Sequence, residues 1–212
     1  MTGPAGTFEN PTVTRILDAA AAVFAEEGFG GARVDAIAAR AGVNKAMLYY
    51  HVGDKAELYA AVLSRNFAHA RARLATAVAQ PGTSTDRLRA VIAAIVSLVD
   101  ELPAHPRIML REIASGAANL PDTVVRQMLE LLVMVRGVLE EGVRDGQLRP
   151  VDPLLTHLMI LGTVTFMTAT LPVRQRMGAL GVPLRELDAS GHLASYLADV
   201  LLHGIAAPGG LR

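Results

Sequence analysis

The sequence predicts an all-α protein, and three observations carry that prediction. Apolar residues recur at i, i+3, i+4 and i+7 in one segment after another, the spacing of a helix face. No stretch alternates apolar and polar residues with the period of two that a half-buried strand requires. Ala, Leu, Val and Met dominate a chain that is 51% hydrophobic yet holds only four Tyr, five Phe and no Trp, a palette weighted towards helix. A length of 212 residues leaves room for a small domain and a larger one. The expected layout is a tail over 1–10, a three-helix domain over 11–57 and a helical domain over 58–212, with about nine helices in total.

Several chemistries are excluded by residue type and spacing. The absence of Cys removes disulfides, thiolate zinc sites and a Cys nucleophile together. No Glu-x-x-His pair suits a di-iron bundle, and no His-Glu-x-x-His suits zinc. His192 and His203 share one predicted helix but stand about three turns apart, too far to hold one metal. Gly28-Phe29-Gly30-Gly31 follows a helix rather than a strand, so it is no dinucleotide loop. The expectation is therefore no catalytic residue, no metal, no cofactor and no enzyme. No signal-peptide pattern opens the chain, which makes cytoplasmic residence the expectation.

Thr12 or Thr14 is the expected cap of a first helix, with Ile16, Ala20, Val23 and Phe24 inward and Gly28 as its stop. Phe29 is expected to plug the base of the small core. The next stretch, Arg33 to Lys55, reads as two short helices with a tight turn between them. Val34, Ile37, Ala38 and Ala41 gather on one face. Gly42 follows, where a left-handed residue ends a helix without a Cβ clash. Val43 is expected in the buried corner, Asn44 caps the second helix, and Leu48 points back at the first.

The outer face of that second helix carries Lys45, Ala46, Met47, Tyr49, Tyr50 and His51, with Lys55 just beyond. Two adjacent tyrosines and a Met suit a solvated face poorly. They suit a helix that enters the DNA major groove, where apolar groups touch thymine methyls and Tyr, His and Lys reach phosphates. Net charge is zero, with 20 basic against 20 acidic residues, so strong nonspecific binding of polyanions is not expected. Yet the only two lysines in the chain are Lys45 and Lys55. The bland alternative is an ordinary amphipathic helix in an all-α binding protein whose helix-turn-helix is vestigial or contacts protein.

The run from Thr14 to Leu58 resembles the DNA-binding domain of the TetR family of bacterial transcriptional regulators. The resemblance rests on TRILDAAAAVFAEEGF, then IAARAGV, then LYYHVGDKAEL, in order and spacing. It implies that Tyr49, His51 and Lys55 hold phosphates. The full set expected at DNA is Val34, Asn44, Lys45, Ala46, Met47, Tyr49, Tyr50, His51 and Lys55. It also implies a dimer on an inverted-repeat operator of double-stranded DNA, released by a small molecule. Two departures stand out: Arg33 occupies a position where the family usually has Thr or Ser, and the recognition helix begins Lys-Ala-Met.

Asp54 and Glu57 form a capping pair for a long helix running to about Gln80, with Leu63, Phe67, Ala70, Leu74 and Ala77 inward. Further helices are expected over Ser84 to Leu102, from Pro106 to Gly116, and from Pro121 through Leu139. Leu154 to Val173 passes without a formal charge, long enough for a membrane span. Five Thr, His157 and Pro172 favour instead a helix buried between its own domain and a partner copy. Arg174 to Ala189 is expected to be a loop, and Ser190 to cap the last helix. The family resemblance assigns the last two helices, about 153–171 and 190–206, to a four-helix dimer interface. Six Met and five His fall beyond Lys55. Their ordinary role is filling core gaps. The functional alternative is a mostly apolar effector cavity lined by Phe67, His105, Met109, Arg111, Glu112, Met128, Met134, His157, Met159 and Phe166.

Overall fold

Ten α-helices and no strand account for the regular structure among the described residues, 10–182 and 190–205, of the computed structural model. In order they are α1 (Pro11–Gly31), α2 (Val34–Ala41), α3 (Lys45–Val52), α4 (Lys55–Val78), α5 (Ser84–Glu101), α6 (His105–Ala114), α7 (Asp122–Arg144), α8 (Pro153–Ala169), α9 (Leu171–Ala179) and α10 (Ser190–Ile205). They divide into two bodies. One holds the chain up to Phe67 together with Ala104–Val125; the other holds Ala68–Pro103 and the chain from Arg126 onward. The expected tail, apart from Asn10, and residue 206 of the expected last helix lie outside the described residues.

In the first body α1 is capped by Asn10, two residues before Thr12 and four before Thr14, the expected caps. Asn10 Oδ1 accepts from the Thr12 amide at 2.9 Å, and Pro11 opens the helix because it has no N–H to satisfy there. Ile16, Ala20, Val23 and Phe24 are buried. Gly28 (φ 74°, ψ 173°) interrupts the helix where expected, but helical residues continue to Gly31. Phe29 is only half-buried. It stacks on Phe24, and the fully buried ring of Tyr59 from α4 fills the space against both. Asp54 Oδ1 accepts from the Ala56 and Glu57 amides, while Glu57 Oε2 accepts from the Asp54 amide at 2.8 Å. That is the reciprocal capping pair in full.

In the second body α5 packs on both α10 and α8. Thr83 and Asp86 cap it reciprocally, and Leu88, Val91, Ile92 and Ile95 are buried. One expectation fails here. The predicted single helix through Val173 ends at Ala169, a separate α9 at 48° to it takes up the first part of the expected loop, and residues 183–189 of that loop lie outside the described residues. Pro172 cannot donate a helical N–H, and the Thr170 hydroxyl bonds back to the Phe166 carbonyl at 2.8 Å, which favours a bend. Three threonines within α8 do the same: Thr156 to Asp152, Thr163 to Met159 and Thr168 to Val164. Among the described residues no single helix is long and apolar enough to cross a membrane; only the bent pair α8–α9 reaches that length and composition.

Gly142 marks the tightest approach in this body. A Cβ there would lie 2.6 Å from Leu148 Cδ1 and 3.2 Å from Ser84 Cβ, and both neighbours are buried. Gly142→Ala is expected to lower stability by ~1–3 kcal/mol through overpacking, outweighing the ~1 kcal/mol by which Ala favours a helix. A drop in the urea midpoint at unchanged slope is the measurement that checks it.

Candidate nucleic-acid interface

The turn between α2 and α3 is built as the residue types dictate. Gly42 is left-handed (φ 67°, ψ 35°), and its N–H reaches back to the carbonyls of Ala38 and Ala39. Asn44 Oδ1 accepts from the Met47 amide at 2.7 Å and so starts α3. Ile37, Ala38, Ala41 and Leu48 are buried, which fixes α3 against α2. Val43 is half-buried rather than sealed in the corner. Arg33 precedes α2 without a side-chain cap, as its departure from the family pattern implies.

The face opposite Leu48 is open. Tyr50 is 85% exposed, Tyr49 42% and Met47 41%, so neither tyrosine serves the core. Lys45 and Ala46 are exposed, Val34 and His51 half-buried, and the His51 ring meets Tyr50 edge-on. Both lysines already have partners. Lys45 Nζ lies 3.0 Å from Asp35 Oδ1 of α2, a hydrogen bond that raises the ammonium's pKa. Lys55 Nζ sits 4.8 Å from the centre of the Phe29 ring and 3.4 Å from the Gly30 carbonyl. An exposed ion pair like that of Lys45 with Asp35 is weak.

Two residues expected in the effector cavity have other partners. Arg111 donates from Nε to the Ala25 carbonyl at 3.1 Å and from Nη2 to the Glu26 carbonyl at 2.6 Å. Those carbonyls are left open because Gly28 interrupts α1 just beyond them, and a cation suits such a helix end. Glu112 is buried; it accepts from Tyr59 Oη at 2.7 Å and from the Asn119 amide and side chain at 3.2 and 3.3 Å. Burial, then the bond to Glu112, raises the Tyr59 pKa. Arg111 and Glu112 therefore tie α6 to α1 and α4. Sequence reasoning missed Tyr59 and Asn119, and the one available signal was a carboxylate four residues after the inward Ile108.

Other expected effector residues divide plainly. In the first body Asn66 Nδ2 lies 3.4 Å from His105 Nδ1, and the Phe67 ring meets the imidazole edge-on with centres 5.0 Å apart. Asn66 is 2% exposed and its Oδ1 is unpartnered; nothing in the sequence singled it out. Burial pushes the His105 pKa down to about 4. In the second body Gln127 Oε1 and His157 Nδ1 are buried without a partner, and burial also lowers the His157 pKa. Met109, Met128 and Met134 are half-buried. Met159 and Phe166 are not interior: they stand 62% and 66% exposed on α8, on a face that their own body leaves uncovered.

Residues 16–62 match the bacterial regulatory proteins of the tetR family, and residues 81–169 match the tetracyclin repressor-like C-terminal domain. The HTH-type transcriptional repressor SCO4008 of Streptomyces coelicolor is 36% identical over 144 residues, 66% of this chain and 67% of its own. The chain belongs to the TetR family. It is a DNA-binding transcriptional regulator, and the matched N-terminal segment spans every residue expected at DNA. The HTH-type transcriptional repressor NicS of Pseudomonas putida is 29% identical over 212 residues, covering 96% of this chain and 97% of that one. In fold, the chain is similar to the transcriptional regulator FadR from Bacillus subtilis, solved in complex with stearoyl-CoA. The TM-score is 0.73 at 22% identity, over 91% of this chain and 98% of that one. The TetR-like, all-α architecture expected from the sequence is thereby established.

Two outcomes are expected from this geometry. Asp35→Ala removes a carboxylate beside the recognition helix and frees Lys45. Binding to random duplex should tighten, and the salt slope should steepen by about one contact, as read by fluorescence anisotropy across a salt titration. For His105 the folded pKa, about 4, lies below the ordinary 6.5, so the unfolded chain binds the extra proton between those values. Its contribution to stability is complete above pH 6.5 and is lost as pH falls towards about 4. His105→Gln should flatten the dependence of Tm on pH in that window relative to the parent.

Proposed function

We propose that the protein is a homodimeric repressor that an effector detaches from its operator by moving α6. The observation that carries this reading is the double tie of α6 to the DNA-binding helices: Arg111 to the end of α1 and Glu112 to Tyr59 of α4. His105 opens the same helix, about 9 Å along the axis from Arg111 at 1.5 Å per residue. A ligand that displaces the start of α6 shifts the helices that seat α3 and Lys55. It acts only as far as it prefers the DNA-incompetent arrangement.

On DNA, Tyr49, His51 and Lys55 hold phosphates, while Lys45 and Met47 of α3 reach base edges. Two copies join through α8 and α10. Leu155, Leu158, Met159 and Phe166 of α8 and Tyr196 and Val200 of α10 support this, since all are large, apolar or aromatic, and more than half exposed. Paired recognition helices then meet successive major grooves ~34 Å apart. The effector is mostly apolar; the complex of FadR with stearoyl-CoA and the Met-rich helices support that class. The setting is the cytoplasm, and the chain has no catalytic role.

Selection of the full-length protein on a random duplex library should enrich an inverted repeat with half-sites about one helical turn, or a multiple of it, apart. A Tyr49→Ala/Tyr50→Ala variant should enrich nothing. Indistinguishable libraries from parent and variant would sink the DNA reading and favour a protein-contacting helix-turn-helix. On the selected site, Arg111→Met is expected to weaken operator binding at least fivefold in gel shifts while the helical circular-dichroism signal is retained.

A further inference from the structure

We infer that Asn66 and His105 form the polar end of the effector site, and that this end takes an uncharged group able both to donate and to accept a hydrogen bond, a carboxamide or a hydroxyl, in preference to a carboxylate. The inference rests on the ligand-responsive reading above and specifies the chemistry of that site.

The starting point is an imbalance. Asn66 is 2% exposed, its Nδ2 donates to His105 Nδ1 at 3.4 Å, and its Oδ1 has no donor in the fold. Buried polar atoms are nearly always paired, and an unpaired carbonyl is costly. What Oδ1 lacks is an N–H or O–H donor, which the fold itself does not supply. The second half of the requirement comes from His105. With Nδ1 accepting from Asn66, the neutral ring carries its proton on Nε2, so the pair also offers a donor. The Phe67 ring, edge-on at 85° to the imidazole, restricts its orientation.

The pair carries no charge. Burial holds His105 neutral, and neither side chain bonds to Asp, Glu, Lys or Arg among the described residues. A carboxylate would set its own lone pairs against Asn66 Oδ1 and would lose its hydration without a counterion. A carboxamide or hydroxyl satisfies Oδ1 and accepts from Nε2 at once. Asn66 lies on α4 and His105 is the first residue of α6, so a group seated on both sets the separation of the two helices that carry Tyr59 and Glu112.

The test uses the full-length protein with three probes of equal chain length, decanamide, 1-decanol and decanoate, titrated calorimetrically at pH 7.5. Decanamide and 1-decanol are expected to bind at least tenfold more tightly than decanoate. Asn66→Leu should erase that preference, whereas His105→Gln, which keeps a neutral donor and acceptor, should retain most of it; circular dichroism confirms that each variant is folded. Equal or tighter binding of decanoate, a preference that survives Asn66→Leu, or no binding of any probe would each overturn the inference. Operator release is measured in parallel on the selected site. A neutral-group preference without release sustains this inference and defeats the gating mechanism, while release without the preference does the reverse.

Discussion

Glu112 is a buried carboxylate whose hydrogen-bond partners are all neutral, and the first body is arranged around keeping it satisfied. Tyr59 approaches from α4, and Asn119 closes over it from the turn after α6. That turn requires the left-handed backbone of Gly116 and Ala117, a costly conformation for Ala that the Glu112 bonds help to hold. Removing any one donor leaves charge underbonded in an apolar setting. The neighbouring Arg111 faces α1 instead and closes the carbonyls opened by the Gly28 break. Two consecutive residues thus fix one helix to two others through opposite chemistries.

Electrostatics at the DNA face follow a similar economy. The chain is neutral overall, and its two lysines rest on Asp35 and on the Phe29 ring. Long-range attraction to a polyanion is accordingly small.

Much of the fold was legible because helices announce themselves locally. The 3.6-residue period, Gly42 and Asn44, and the Asp54/Glu57 pair each act within a few residues, and each stands where the sequence put it. The cap at Asn10 and the bend at Pro172 were misread by a few positions, since adjacent Thr and Pro offer competing starts and stops. What could not be read is non-local. Arg111 meets carbonyls 85 and 86 residues away, and Glu112 meets a hydroxyl 53 residues away; no spacing rule reaches that far. Met159 and Phe166 show the other limit, because apolarity alone does not say whether a face turns to its own core or outward.

The threonines of α8 change what that helix is. Three of its hydroxyls, and that of Thr170 just past its end, are spent on carbonyls of the preceding turn, so to any surface laid against the helix those side chains present mainly methyl groups. With those hydroxyls occupied, a segment that counts as moderately polar by composition presents a largely apolar surface. Those hydroxyls can be stripped of water at close range without being stranded; asparagines in the same places would not permit that, and serines would make the same bonds without the methyl groups.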